Sequence, residues 1–578
     1  MATPQQRADE LLTHLDLPAK VGLMFHTMVG IGELGDRLAT FGLPTVAALL
    51  DKGMTHFNLL GAAPQGREFA QWHNQIQQQA AARPHGVPVT FSTDPRHHFV
   101  DNYAAQMMAG AYSQWPETLG LAAIGAPERI RDFADIVRQE YLAVGIRVAL
   151  HPQIDLATEP RWSRINGTFG EDADLTSRLA VAYVQGLQGQ QLGAGSVAAM
   201  VKHFPGGGPQ LDGNDPHFPW GREQVYPGGN LEYHLRPFRA VLDAGAAEVM
   251  PYYGMPIGTD WEEVGFGFNR SVVTTLLRQE LGFDGVVCTD WGLITDNPDL
   301  GDLGTARAWG VEHLSREERM LRVLDAGVDQ FGGEHCPEVL LELVQSGRVS
   351  EQRIDESARR LLRVKFALGL FDNPFVDEGV AAETVGRADF VAAGVQAQKD
   401  SLTLLTNKVL PLQRGIKLFA PDLADDAVRR YATPVGSPDE ADIALLRLKA
   451  PFDPPGEGML AQLFHHGTLE FAAADIERVR RISATVPAVV DVYLDRPAVL
   501  TPFVDTAAAL LVNYGIGENA LLDVLFGKSG PHGRLPFDLP RSDAAVAAAR
   551  TDVAFDTEAP VFRFGHGLRY GGSLESPA

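Results

Sequence analysis

Gly282-Phe283-Asp284-Gly285-Val286-Val287-Cys288-Thr289-Asp290-Trp291-Gly292 sets a short run of β-forming residues, Val286 to Thr289, before an abrupt end in a carboxylate, an indole and a glycine. An apolar strand bounded by turn residues reads as an interior strand of a parallel sheet. In a barrel of such strands, a polar residue at a strand's C-terminal end points into the mouth, where catalysis takes place. Asp290 is therefore the leading candidate for a reacting group. Taken alone, the same pattern also suits a helix N-cap or a turn aspartate.

Similar runs recur outward from this stretch: His56 to Leu60, Val87 to Asp94, Ile146 to Asp155, Val197 to His203, Val249 to Gly254 and Val328 to Gly333. Between them, segments such as 128–144, 174–191, 231–244, 271–281 and 315–326 carry Ala, Leu, Arg and Glu at helical spacing. Strand–helix alternation implies parallel βαβ units, and seven or eight of them predict a (β/α)8 TIM-type barrel over residues 1–375. Five strand ends carry polar groups: Asp94, Asp155, Lys202-His203, Tyr252-Tyr253 and Asp290. Their convergence reads as an active site at the C-terminal face.

A helix pair, 337–346 and 351–368, closes this region, and Asn373-Pro374-Phe375 leads into a looser stretch read as a linker, 376–395. Beyond it, strands at 402–405, 417–420, 443–448, 488–494 and 507–513, with helices at 475–485 and 518–526, predict an α/β/α sandwich domain over 396–570. Residues 571–578 read as a frayed tail.

The 578 residues carry 49 Lys and Arg against 73 Asp and Glu, a net charge of −24. That balance disfavours nucleic-acid and anionic-membrane partners. Cys288 and Cys336 are the only cysteines, so no disulfide framework is expected. The start, MATPQQRADELLTHLDL, lacks the basic end and apolar core of a secretion signal, and the expectation is a cytoplasmic protein. No feature points to an oligomeric state. Gly515-Ile516-Gly517 follows a strand and opens a helix, but no second parallel strand or acidic residue completes a dinucleotide site. The adjacent pairs His97-His98 and His465-His466 lack the spacing that puts two metal ligands on one helix face.

Thr93-Asp94-Pro95-Arg96, Glu159-Pro160-Arg161-Trp162-Ser163-Arg164, Lys202-His203-Phe204-Pro205-Gly206-Gly207, Met250-Pro251-Tyr252-Tyr253 and the opening stretch occur in that order. Leu402-Thr403-Leu404-Leu405-Thr406-Asn407, Gly533-Arg534-Leu535-Pro536 and Phe564-Gly565-His566-Gly567-Leu568 follow in the second region. The ordered set, over roughly residues 50 to 570, resembles glycoside hydrolase family 3, the β-glucosidases and their relatives.

The resemblance implies a barrel joined to a sandwich and a retaining exo-β-glycosidase acting on terminal β-linked sugars, foremost β-D-glucosides, without metal or organic cofactor. The substrate would be a β-linked oligosaccharide or glycoside. It implies Asp290 as nucleophile, consistent with the one ionised carboxylate a retaining enzyme needs. Trp291 would be an apolar platform for the leaving sugar. Asp94 would accept hydroxyls on the far side of the ring, and Arg164 and Lys202 would supply donors. His203 and Tyr253 would hydrogen-bond the ring or hold the nucleophile. Arg161 is read as structural, in an internal ion pair with Glu171 or Asp172.

The proton donor departs from the family's pattern. Where many members carry glutamate before a Pro-Tyr pair, the matching segment Lys449-Ala450-Pro451-Phe452 carries lysine, whose ordinary pKa near 10 makes it a poor donor to a glycosidic oxygen. Asp453 and Glu457 are the nearby carboxylates. A second candidate is His217: Asp215-Pro216-His217 echoes the Asp-Ser-His dyad of the family's β-N-acetylglucosaminidases, and a histidine tuned by an aspartate does acid/base work near neutral pH. The alternatives are thus a β-N-acetylglucosaminidase using Asp215 and His217, a β-xylosidase, or, from a different class, a non-catalytic sugar-binding protein.

Overall fold

The computed structural model describes residues 2–571 except 41–42, 103–104, 298–303, 455, 457 and 459. Eight parallel strands form the first sheet: β1 (Phe25–Gly30), β2 (His56–Leu60), β3 (Thr90–Thr93), β4 (Ile146–Ala149), β5 (Ala198–Phe204), β6 (Glu248–Pro251), β7 (Val286–Val287) and β8 (Phe331–Gly332). Their order is β8-β1-β2-β3-β4-β5-β6-β7. A parallel bridge between Cys288 and Gln330, with the Thr289 N–H donating to the Gln330 carbonyl at 2.9 Å, joins the two edges. The sheet thereby closes on itself, leaving no exposed edge.

Seven strands coincide with the apolar runs of the sequence. The eighth, Phe25–Gly30, precedes the region where the alternation becomes legible, because His26 and Thr27 sit among its buried residues and Met28 is 42% exposed. Local chemistry sets the helix ends. Ser315 and Glu318 form a reciprocal capping box at the start of Arg316–Ala326, and Gly327, with φ of 100°, ends that helix in the left-handed region open to glycine.

The second sheet contains β9 (Thr403–Asn407), β10 (Lys417–Phe419), β11 (Thr433–Pro434), β12 (Ile443–Lys449), β13 (Ala488–Tyr493) and β14 (Ala509–Asn513), in the order β9-β14-β13-β12-β10-β11. All pairs are parallel except β9 with β14. The stretch 376–395 is helical rather than loose: Asp377 caps Glu378–Thr384, and Ala388–Ser401 follows. That second helix buries Phe390, Gly394, Ala397 and Gln398 against helices 118–124 and 518–525. Their spacing at 390, 394 and 397–398 is the signal that the Gly and Ala content obscures. Of the expected tail, residue 571 alone is described. Among the described residues, no helix is long and apolar enough to cross a membrane.

Buried polar ties join barrel and sandwich. The two Glu171 oxygens accept from the Asp538 and Phe555 N–H groups at 2.6 and 2.8 Å, and burial pushes this carboxyl up to about 8. Arg496, fully buried after β13, donates to the carbonyls of Pro451, His466, Gly467 and Thr468 and across the interface to that of Arg161, all at 2.6–3.1 Å. One guanidinium therefore fixes both ends of the loop from 451 to 468. Replacing Arg496 with methionine leaves five carbonyls without this donor. The sandwich should lose about 3 kcal/mol or more, measured as an earlier denaturant midpoint, with new proteolytic cleavage between 451 and 468.

Candidate active site

Chain direction brings the C-terminal ends of the barrel strands to one mouth, and most of the predicted polar residues gather there. Asn58, Asp94, Arg164, Lys202, His203, His217, Tyr253, Asp290, Trp291 and Arg307 line a cavity of about 120 Å³, whose apolar wall is Met28, Leu150, Met250 and Leu460.

Asp290, 7% exposed, directs one carboxylate oxygen, Oδ1, to the Trp291 N–H at 2.8 Å. The other, Oδ2, has no hydrogen-bond partner among the described residues and lies 3.8 Å from His203 Nε2. Tyr253 braces this turn through its hydroxyl, which accepts from the Trp291 N–H and donates to the Trp291 carbonyl, both at 2.9 Å.

His203 is oriented from behind. Its Nδ1 meets Asp155 Oδ2 at 2.7 Å, while Asp155 Oδ1 also accepts from the His203 and Gly207 N–H groups. Burial lowers the His203 pKa more than Asp155 raises it, so the ring is neutral with its proton on Nδ1. Arg164 Nη2 lies 3.5 Å from the bare Nε2. Burial would weaken the Arg164 cation, but Tyr252, Asp215, Asp290 and Asp155 around it raise its pKa. Lys202 Nζ donates to Asp94 Oδ1 at 2.7 Å, and Asn58 Nδ2 to Asp94 Oδ2 at 3.2 Å. An ionised carboxylate offers about four lone-pair sites, so Asp94 keeps acceptor capacity for sugar hydroxyls.

The proton-donor candidates separate clearly. Asp453 is exposed, accepts from the Thr468 N–H at 3.1 Å and does not line the cavity. Glu457 lies outside the described residues. Lys449, at the end of β12, lines a larger cleft of about 650 Å³ between the domains, together with Phe452, His465 and Asp495. His217 lines the Asp290 cavity itself. Its Nδ1 meets Asp215 Oδ1 at 2.7 Å, and its ring rests on Tyr253 and on Phe464 of the sandwich. Asp215 Oδ2 accepts from Trp162 Nε1, Ser163 Oγ and the Tyr252 hydroxyl at 3.0–3.2 Å. Burial opposes ionisation of Asp215, but the charge, ring and backbone N–H of His217, together with the charge of Arg164, hold its carboxyl below the usual range.

Arg161 pairs with Glu159 at 2.8 and 3.0 Å, not with Glu171 or Asp172; Glu171 is committed to the sandwich backbone. Asn58, Met28 and Leu460 are cavity residues the sequence did not single out. Asn58 sits mid-strand rather than at a strand end, and Leu460 reaches the cavity only through folding of the second domain. His97 and His98 are buried on Glu140 and the Pro116 carbonyl, and His465 is paired with Asp495. Among the described residues, no group of three or more His, Cys, Asp and Glu side chains is arranged to hold a metal.

The profile for the glycosyl hydrolase family 3 N terminal domain matches residues 52–364, and that for its C-terminal domain matches residues 429–570. Beta-glucosidase C of Emericella nidulans is 51% identical over 573 residues, covering 98% of this chain and 92% of that protein. A periplasmic beta-glucosidase/beta-xylosidase of Dickeya chrysanthemi is 40% identical over 591 residues, covering 97% and 90%. The crystal structure of a beta-glucosidase from Listeria innocua in complex with isofagomine superposes with a TM-score of 0.77 at 22% identity, covering 98% of this chain and 83% of that one. On the two profiles and the extent of these similarities, the chain belongs to glycosyl hydrolase family 3.

Proposed function

We infer that this chain is a retaining exo-β-glucosidase that releases single terminal β-D-glucosyl residues. The observation that carries this reading is Asp290 Oδ2, a buried carboxylate oxygen without a donor among the described residues, in a small cavity whose polar lining is hydroxyl-binding groups. Such an oxygen is poised as a nucleophile, and a cavity of about 120 Å³ suits one ring at a chain end. The relatives named as β-glucosidases support glucose as the sugar, and the one named β-glucosidase/β-xylosidase makes xylose the first competitor to test.

In the first step, Asp290 attacks C1 of the bound sugar, the C1–O bond breaks, and its electron pair goes to the leaving oxygen. His217 protonates that oxygen. With Nδ1 held by Asp215, Nε2 is the nitrogen left for transfer. In the second step, the neutral imidazole takes a proton from water, whose oxygen attacks C1 and breaks the ester bond to Asp290, restoring the original configuration. His217 is preferred to Asp453 because it shares the cavity with Asp290. The same dyad suits an N-acetylglucosaminidase, and turnover of aryl β-glucoside, β-xyloside and β-N-acetylglucosaminide, measured side by side, decides between them.

Three outcomes are expected. Asp290→Asn should abolish turnover of an aryl β-glucoside with an unchanged unfolding midpoint; near-normal turnover by the folded variant sinks the assignment. His217→Gln should slow alkyl β-glucosides by about 10²–10⁴-fold while sparing the first step with a dinitrophenyl glucoside, and azide should accelerate the second. Burial lowers the His217 pKa more than Asp215 raises it. The imidazolium is the competent acid, so kcat/KM for an alkyl β-glucoside should fall as pH rises through a pKa below the ordinary 6.5, while the dinitrophenyl glucoside, which needs no proton, should lack this limb.

A further inference from the structure

Behind Asp94 runs a chain of buried polar groups that crosses the barrel from β7 to β3. Cys288 Sγ lies 4.0 Å from His26 Nδ1, His26 Nε2 lies 2.6 Å from Ser92 Oγ, Ser92 Oγ lies 3.3 Å from Asn58 Oδ1, and Asn58 Nδ2 lies 3.2 Å from Asp94 Oδ2. All five residues are 8% exposed or less. The direction of every bond follows from its far end. Asp94, paired with Lys202, is acceptor-only, so Asn58 must present its amide NH₂ to it and its carbonyl to Ser92. The other neighbour of Ser92 Oγ, the Phe57 carbonyl at 3.4 Å, is also an acceptor, so the hydroxyl donates outward and must receive from His26 Nε2–H. That places the His26 proton on Nε2; Nδ1 faces the Cys288 thiol, and the Gln330 side chain also hydrogen-bonds the ring. Burial holds the His26 pKa down to about 3, so the ring is neutral, as this arrangement requires. The same ring lies edge-on to Trp291, with centroids 5.2 Å apart.

We propose that His26, Ser92 and Asn58 are positioning residues: their one-way hydrogen-bond chain fixes the angle at which Asp94 offers its remaining lone pairs, and so sets which sugar hydroxyl the site selects. The proposal rests on the glycosidase reading and deepens it. Without the Ser92 hydroxyl, Asn58 loses the partner that holds its amide plane. Asp94 then keeps its charge and its Lys202 contact but loses its fixed orientation.

The test uses the full chain and an aryl β-glycoside that the unaltered protein hydrolyses, with the four monodeoxy analogues of its sugar. Ser92→Ala should lower kcat/KM for the parent about three- to tenfold, the worth of one hydrogen bond. It should leave nearly unchanged the kcat/KM of the single analogue lacking the hydroxyl that Asp94 grips, identified as the analogue least affected by Asp94→Asn. Ser92→Thr, which keeps the hydroxyl, should restore the parent's rate. His26→Phe should reproduce the Ser92→Ala pattern and His26→Gln, which keeps a donor, should soften it. An equal loss on all five substrates, no loss at all, or failure of Ser92→Thr to restore the rate overturns the proposal. Failure of the glucosidase reading is visible separately, in the unaltered protein's choice among aryl glycosides.

Discussion

A carboxylate buried with one oxygen unpaired among the described residues is the constraint around which the barrel mouth is built. At 7% exposure the Asp290 carboxyl has lost most of its hydration, and polar groups from elsewhere surround it instead. They are the Trp291 N–H on its own turn and Arg164 after β4, while the Tyr253 hydroxyl after β6 holds that turn in place. None of these groups stands alone. Arg164 is balanced by Asp155 and Asp215, His203 is held by Asp155, and Lys202 is paired with Asp94. The site is a lattice of alternating charge in which each member is fixed by its neighbours, which is how a reacting group is preorganised in a dry cavity.

The sandwich domain contributes closure more than chemistry. Phe464 packs on His217 and Phe218, and Leu460 forms part of the cavity wall. The loop carrying them is anchored by Arg496, whose five carbonyl partners include one on the barrel. His217 thus sits between the Asp215 carboxylate of its own loop and an aromatic ring from the other domain. Packing of the second domain therefore excludes water around the very group proposed to move the proton, and that exclusion depresses its basicity.

Much of the fold was legible in the sequence because parallel barrel strands are buried on both faces. Their uninterrupted apolar runs, such as Val286-Val287 and Ala198-Ala199-Met200-Val201, stand out against the helices between them. β1 was missed for the complementary reason. Its His26 is buried and bonded to Ser92, and its Met28 lines the cavity, so polar and exposed positions interrupt the apolar pattern that would have marked it. Within 376–395, which reads as loose, the two helices are hard to see because their buried faces are mostly Ala and Gly, with Phe390 the one large apolar residue buried there.

By itself, the sequence determined the alternation of strand and helix, the two-domain division and the strand-end residues Asp94, Lys202, His203, Tyr253 and Asp290, because each is a local property of residue order. Only the tertiary structure decided which acid candidate shares the Asp290 cavity, that Asp155 orients His203, and that His26, Ser92 and Asn58 stand in line behind Asp94. These groups are separated by tens to hundreds of residues along the chain. Their relation exists only once closure of the barrel brings β7 beside β8 and β1 between β8 and β2, and hydrogen-bond direction has meaning only at distances that closure creates.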